Sequence, residues 1–275
     1  MRPVFTLAIA FLLPVALHAQ TPSLQKLWET DTIVATPESV LPDPANHTLY
    51  LSLIAGGGPW EADGDGRVGR LSPDGKQYNG SWITGLSAPK GMGRFGNRLY
   101  VADISDVVVI DIAKATIIKK IPVPGESGLN DITIDDNGIV YVSDSKSGKV
   151  YRIEKDVPAL FMDQLDGANG LKASGKNLYI LARKQVLLAD PAKHLKVITD
   201  LPNGGDGVEE VGNGDLIVSE WVGNVFYVYA DGRKVQLLDR KPEKKNTADI
   251  WYDQKSKTLY VPGFYGKTIT AYRLQ

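Results

Sequence analysis

The chain has 275 residues, of which 43% are hydrophobic, with 31 basic against 32 acidic side chains and no cysteine. A net charge of −1 argues against nucleic acid or an anionic membrane surface as the main partner. The absence of cysteine excludes disulfides, a thiolate nucleophile, zinc–thiolate sites and a lipoprotein anchor.

Arg2 precedes an apolar run from Val4 to Leu17, and Leu17-His18-Ala19 supplies a small-residue cleavage site before Gln20. The run is short for a membrane span and carries its charge on the expected side, so residues 1–19 read as a secretory signal peptide. Residues 20–275 are then one domain, exported to the periplasm or the extracellular space, with 30 basic against 32 acidic residues and no membrane contact after removal of the signal.

Gln25 to Asp31 reads as a lone strand without a hairpin partner, similar to Lys196-Val197-Ile198-Thr199-Asp200 and Val235-Gln236-Leu237-Leu238-Asp239 further on. After it one phrase recurs: a short polar-headed strand, a Gly/Asn/Asp turn, then an apolar triplet. The triplets centre on Tyr50, Tyr100, Tyr141, Tyr179, Ile217 and Tyr260, at spacings of 50, 41, 38, 38 and 43. A period near forty built from strands and turns is the signature of a propeller blade. The fold expected is all-β, a six-bladed β-propeller. Its last repeat stops at Leu274-Gln275 with three strands written, so the N-terminal strand should complete that blade and close the ring.

The first repeat carries the longest insertion, residues 55–66, which includes Trp60. No Lys-Ser/Thr follows its glycines, and Arg67 and Val68 stand where a calcium loop beginning at Asp63 and Asp65 would need an acid and a glycine. It reads as a long mobile loop near a channel mouth. His47 and His194 fall in turns and read as surface residues.

In a propeller the inner strands line the axis. Counting back ten to twelve residues from each triplet centre reaches Glu38, Lys90, Asn130, Asn169, Asp206 and Asp249. All six are polar where the ring converges. Carboxylates crowded on one axis need a cation or raised pKa values. An oxygen-only set suits a hard cation, calcium before magnesium or zinc; a hydrated polar channel without metal is the alternative left open.

Glu38 in Pro-Glu-Ser, Asn130 in Leu-Asn-Asp, Asn169 in Ala-Asn-Gly-Leu and Asp206 in Gly-Asp-Gly-Val resemble, in order and spacing, the metal-site positions of the SMP-30/gluconolactonase family of six-bladed calcium propellers, which is itself similar to the diisopropyl-fluorophosphatase type. The resemblance implies a calcium ion, or another divalent cation, held by Glu38, Asn169 and Asp206, with Asn130 on the ion or on the substrate beside it. It also implies a small-molecule substrate, a lactone or related ester. Asp206 would be the general base, with a nucleophilic role as the alternative; Lys90 and Asp249 would either face the substrate or support the ion-binding residues from behind. Ser39-Val40-Leu41 and Gly128 depart from the family, whose members commonly have Gly-Pro and a Trp after the first Glu and whose sugar-lactone hydrolases often have an Arg two residues before the third-blade Asn. Two other readings stay open: a non-catalytic propeller binding a ligand or partner around a structural calcium, and a phosphotriesterase-type hydrolase. The oligomeric state is not legible.

Overall fold

The computed structural model describes residues 21–126 and 128–275; the signal peptide expected over residues 1–19 lies outside them. Six four-stranded antiparallel sheets form the blades. Their inner strands are Pro37–Asp43, Pro89–Phe95, Leu129–Ile134, Ala168–Ser174, Gly205–Gly212 and Trp251–Asp253.

The strand pattern explains the ring. The second strand of blade 1, Thr48–Leu53, is buried at every position, so both its faces need cover. The fourth strand of blade 2, Thr116–Pro122, is exposed at most positions. The core lies between blades: Tyr100, Val107 and Val109 of blade 2 pack on Ile132, Val142 and Tyr151 of blade 3. Burying one such side chain is worth about 1.5–3 kcal/mol, and a blade collects it on both faces only when flanked on both sides.

Closure follows the expectation from sequence. Strand Leu24–Glu29 pairs antiparallel with Ile269–Leu274, from Leu24↔Leu274 to Glu29↔Thr270, with a bulge between Lys26 and Trp28. Trp28 lies 6.1 Å from the Tyr260 ring, and on its other side it meets blade 1 at Gly75. Gly75 has φ +76°, and a Cβ there would come within 2.6 Å of the indole, so glycine is required twice over. Glu29 Oε1 accepts hydrogen bonds from Arg240 Nη2 and Lys245 Nζ, both at 2.6 Å, while Arg240 Nη1 donates to Thr270 Oγ1 at 3.0 Å. Burial alone would raise the Glu29 carboxyl, but the hydrogen bonds from Lys245 and Arg240 outweigh it and hold it at about 2.

Removing the chain up to Asp31 is therefore expected to destabilise the whole ring, seen as a collapse of the melting temperature. Glu29→Ala leaves the buried Arg240 with only the more exposed Glu243 carboxylate at 3.2 Å and should cost about 1–3 kcal/mol in urea unfolding, below the full cost of breaking a buried pair. An unchanged melting temperature in the truncation would show that the seam carries no stability.

Candidate functional site

The inner strands of blades 1 to 5 share one irregularity near their starts. Pairing with the second strand is interrupted between Pro37 and Ser39, Pro89 and Met92, Leu129 and Ile132, Ala168 and Leu171, and Gly205 and Val208. The skipped residues are Glu38, Lys90-Gly91, Asn130-Asp131, Asn169-Gly170 and Asp206-Gly207. Such bulges re-aim side chains, and here they turn the polar residue of each blade to the axis. The freed backbone needs new partners. Ser39 N donates to Ser52 Oγ at 2.9 Å, Asp131 N to Ser143 Oγ at 2.9 Å and Gly207 N to Ser219 Oγ at 2.8 Å. These three serines are fully buried. Each directly follows the apolar triplet of its blade, a signal present in the sequence that the search for charged residues passed over.

Five of the six expected site residues converge at the end where the inner strands begin. Glu38, Lys90, Asn130 and Asp206 are buried, and Asn169 is partly buried. Asn169 Nδ2 donates to Asp206 Oδ1 at 2.7 Å, and Asn130 Nδ2 to Ser145 Oγ at 2.9 Å. Both amides are thus tied by their nitrogens, and no hydrogen bond reaches either Oδ1 among the described residues. Glu38 Oε2 and Asp206 Oδ2 are buried without a hydrogen-bond partner.

Lys90 supplies the nearby positive charge. Its ammonium donates to Ala88 O at 3.0 Å and to Pro59 O, and stands 4.2 Å from the centre of the Trp60 ring. Lys146 Nζ lies 4.5 Å from the same ring. The insertion 55–66 is therefore not loose: Lys90 pins it, and Asp63 braces it from within by accepting Gly57 N at 2.9 Å and Asp65 N at 3.0 Å. Burial, then repulsion from Asp206 and Asp249, pushes Glu38 well above the usual carboxylate range, with Lys90 opposing. Burial lifts Asp206 to about 7 against the Asn169 bond and Lys90, and burial draws Lys90 down to about 8.

Asp249 sits one layer further along the channel. Ser39 Oγ donates to its Oδ2 at 2.6 Å, and it lines a cavity of about 550 Å³ at the opposite end, together with Asp131, Glu209, Lys172 and Trp251. Asp131, Glu209 and Lys172 escaped the sequence reading because they follow the register position by one or three residues. Asp131 accepts Ile132 N and Leu171 N, both at 2.6 Å, and Glu209 pairs with Lys172 at 2.5 Å. His194 pairs with Asp190 in an exposed turn, as expected of a surface residue.

Among the described residues no group of three or more His, Cys, Asp or Glu side chains is arranged to hold a metal. The donor set is mixed, two carboxylates and two amides, with one unpartnered oxygen on each carboxylate. All-oxygen donors of this kind fit a hard divalent cation that takes six or more ligands, the remaining positions being open to water or substrate. Glu38, Asn130, Asn169 and Asp206 could hold such an ion.

No family model and no curated protein matches the chain. Solved structures share its fold. A gluconolactonase from Xanthomonas campestris is similar at a TM-score of 0.70 and 20% identity, over 92% of this chain and 89% of that one. A virginiamycin B lyase from Staphylococcus aureus in complex with quinupristin is similar at 0.66 and 13%, over 93% and 100%. A chain of the nidogen/laminin complex is similar at 0.64 and 16%, over 76% and 82%. At these identities the likeness establishes the class, a six-bladed β-propeller, and nothing finer.

The raised carboxyls give a signed expectation. Folded and without a cation, the chain keeps protons on Glu38 and Asp206 that the unfolded chain releases above about pH 4. Stability of the chelated protein should therefore fall as pH rises from about 4 through about 7. Added calcium should raise the melting temperature, by more at pH 8 than at pH 5. Equal melting temperatures with chelator and with calcium at pH 8 would mean that these oxygens bind no ion.

Proposed function

We propose that the protein is an exported, calcium-dependent hydrolase of a lactone or related carboxylic ester. The observation that supports it is the pair of unpartnered carboxylate oxygens, Glu38 Oε2 and Asp206 Oδ2, buried beside two amides whose nitrogens are tied back. Glu38, Asn169 and Asp206 hold the ion, and Asn130 binds it or the substrate beside it; another hard divalent cation suits the same donors. When bound, calcium supplies positive charge to the carbonyl oxygen of the substrate as negative charge develops there.

The remaining work falls to the chain itself. Asp206 takes the proton of the attacking water on its carboxylate, while the Asn169 hydrogen bond to Oδ1 fixes the plane of that group. Lys90 is committed to two backbone carbonyls, so it holds the Trp60 loop in place and adds positive charge on the substrate side. One observation favours a second reading, a non-catalytic propeller that binds a ligand or a partner around a structural ion: Lys90 already offsets part of the acidic charge, so the pocket is tolerable without turnover.

A screen against lactones, aryl esters and organophosphates, with and without calcium, separates the readings and also tests phosphotriester hydrolysis. On a substrate so found, Asp206→Asn at saturating calcium should lose about a hundredfold or more in turnover, the scale of general-base loss, while still folding. Glu38→Gln should act mainly through calcium affinity and recover partly at higher calcium. Full turnover in Asp206→Asn would remove Asp206 from the role of base; loss of calcium binding in both variants, with no substrate found, would favour the binding reading.

A further inference from the structure

The mouth above Glu38 and Asp206 is lopsided. On its blade 3 side it is filled: the Trp60 indole rests on Gly128, where a Cβ would come within 2.9 Å of the ring, with Lys90 and Lys146 against it. On the blade 5 and blade 6 side it is lined with bare rings. Gly205, next to Asp206, pairs with Glu220, so Trp221 stands one residue beyond the start of the strand that carries Asp206. Ala248 N bonds Pro262 O at 3.1 Å, which brings Phe264 and Tyr265 to the same rim. The three rings meet edge to face, Trp221–Phe264 and Trp221–Tyr265 at 5.8 Å and Phe264–Tyr265 at 4.8 Å.

Two further features mark this wall as more than surface. Trp221 is 40% exposed and Tyr265 62%, which leaves large apolar area in water beside a polar site. Phe264 is held at φ +40°, a conformation a bulky side chain adopts only when its surroundings impose it. The surroundings here are Ala248 and Ala88, just before the inner strands of blades 6 and 2, and Ile54, just after the second strand of blade 1, so the platform is built onto three blades. Asn246 Nδ2 holds the backbone of Trp221 at 2.9 Å.

We infer that Trp221 and Tyr265 form an apolar subsite, seated on Phe264, for the alkyl or aryl part of the substrate, so that the preferred substrates are hydrophobic lactones or esters and not polyhydroxylated ones. The inference rests on the hydrolase reading and gives its substrate class. A chain leaving the carbonyl meets the Trp60 wall on one side and the open rings on the other; only the second has free apolar surface to cover.

The test uses binding as well as turnover. δ-Lactams bearing n-alkyl chains from ethyl to octyl imitate the lactones and are not hydrolysed; their affinity is measured by calorimetry at saturating calcium. Each methylene should tighten binding about twofold, as for a chain half removed from water. The dependence on chain length should vanish in Trp221→Ala/Tyr265→Ala and persist in Trp221→Phe/Tyr265→Phe, which keeps rings on the platform if the alanine variant does not fold. The kcat/KM values of the matching lactones should rise in the same way. Affinity independent of chain length overturns the inference, as does dependence that survives loss of both rings. A shift of tryptophan emission on phosphatidylcholine vesicles with no lactam binding overturns it too, by making the patch a membrane contact. Chain-dependent lactam binding with no lactone turned over keeps the subsite and removes the hydrolase reading.

Discussion

Glu38 and Asp206 each keep one carboxylate oxygen buried with no hydrogen bond, and most of the channel is arranged around that fact. Holding an ionised carboxylate out of water without a partner costs several kcal/mol even after relaxation. A domain holds only about 5–15 kcal/mol in total. Three remedies exist: protonation, a fixed cationic side chain or a bound cation. Lys90 supplies the second but is one charge against two, and protonation carries the rest where it can, as the upward shifts of both carboxyls express. On the proposed reading a divalent ion turns a pocket of net −1 into one of net +1. That is the sign a carbonyl oxygen gathering negative charge requires.

The scaffold serves this arrangement in a graded way. Ring closure fixes the blades, through Glu29, Arg240 and the Trp28 contact at Gly75. Bulges then break the ladder where the inner strands converge, and buried serines in blades 1, 3 and 5 take up the released amides. One layer further, Asp131 and Asp249 lie over Gly91 and Gly207, where a Cβ would come within 2.4 and 2.7 Å of their oxygens. The same carboxylates tie neighbouring blades by hydrogen bonds, Asp131 Oδ2 accepting Leu171 N and Asp249 Oδ2 accepting Ser39 Oγ, both at 2.6 Å.

Much of this was legible in the chain. The triplet spacing, the unpaired Gln25–Asp31 strand and the unfinished last repeat together specified six blades and their closure, because these depend on period and strand count alone. The register count also found Glu38, Lys90, Asn130, Asn169 and Asp206, since a repeated position returns to the same height. It was less informative for Asp249. The inner strand of blade 6 is paired only over Trp251–Asp253, and Asp249 instead bridges to Ser39. What a count cannot show is direction: whether a bulge turns residue k or k+1 to the axis, as with Asn130 and Asp131. Contacts between distant insertions, such as Trp60 against Gly128, are equally invisible to a period.

Lys90 ties these levels together. Its ammonium is the counter-charge of the acidic pair, the anchor of the insertion through Pro59 O, and one face of the contact with Trp60. A lysine held by carboxylates alone would be displaced by an arriving divalent cation, since the ion outbids a single charge for the same oxygens. Here two backbone carbonyls and an indole face hold it whether or not the carboxylates do. The loop is therefore anchored independently of what fills the pocket. Trp60 stays over Gly128 and blade 3 stays covered, which on the proposed reading leaves the aromatic wall of Trp221 and Tyr265 as the side from which substrate reaches Glu38 and Asp206.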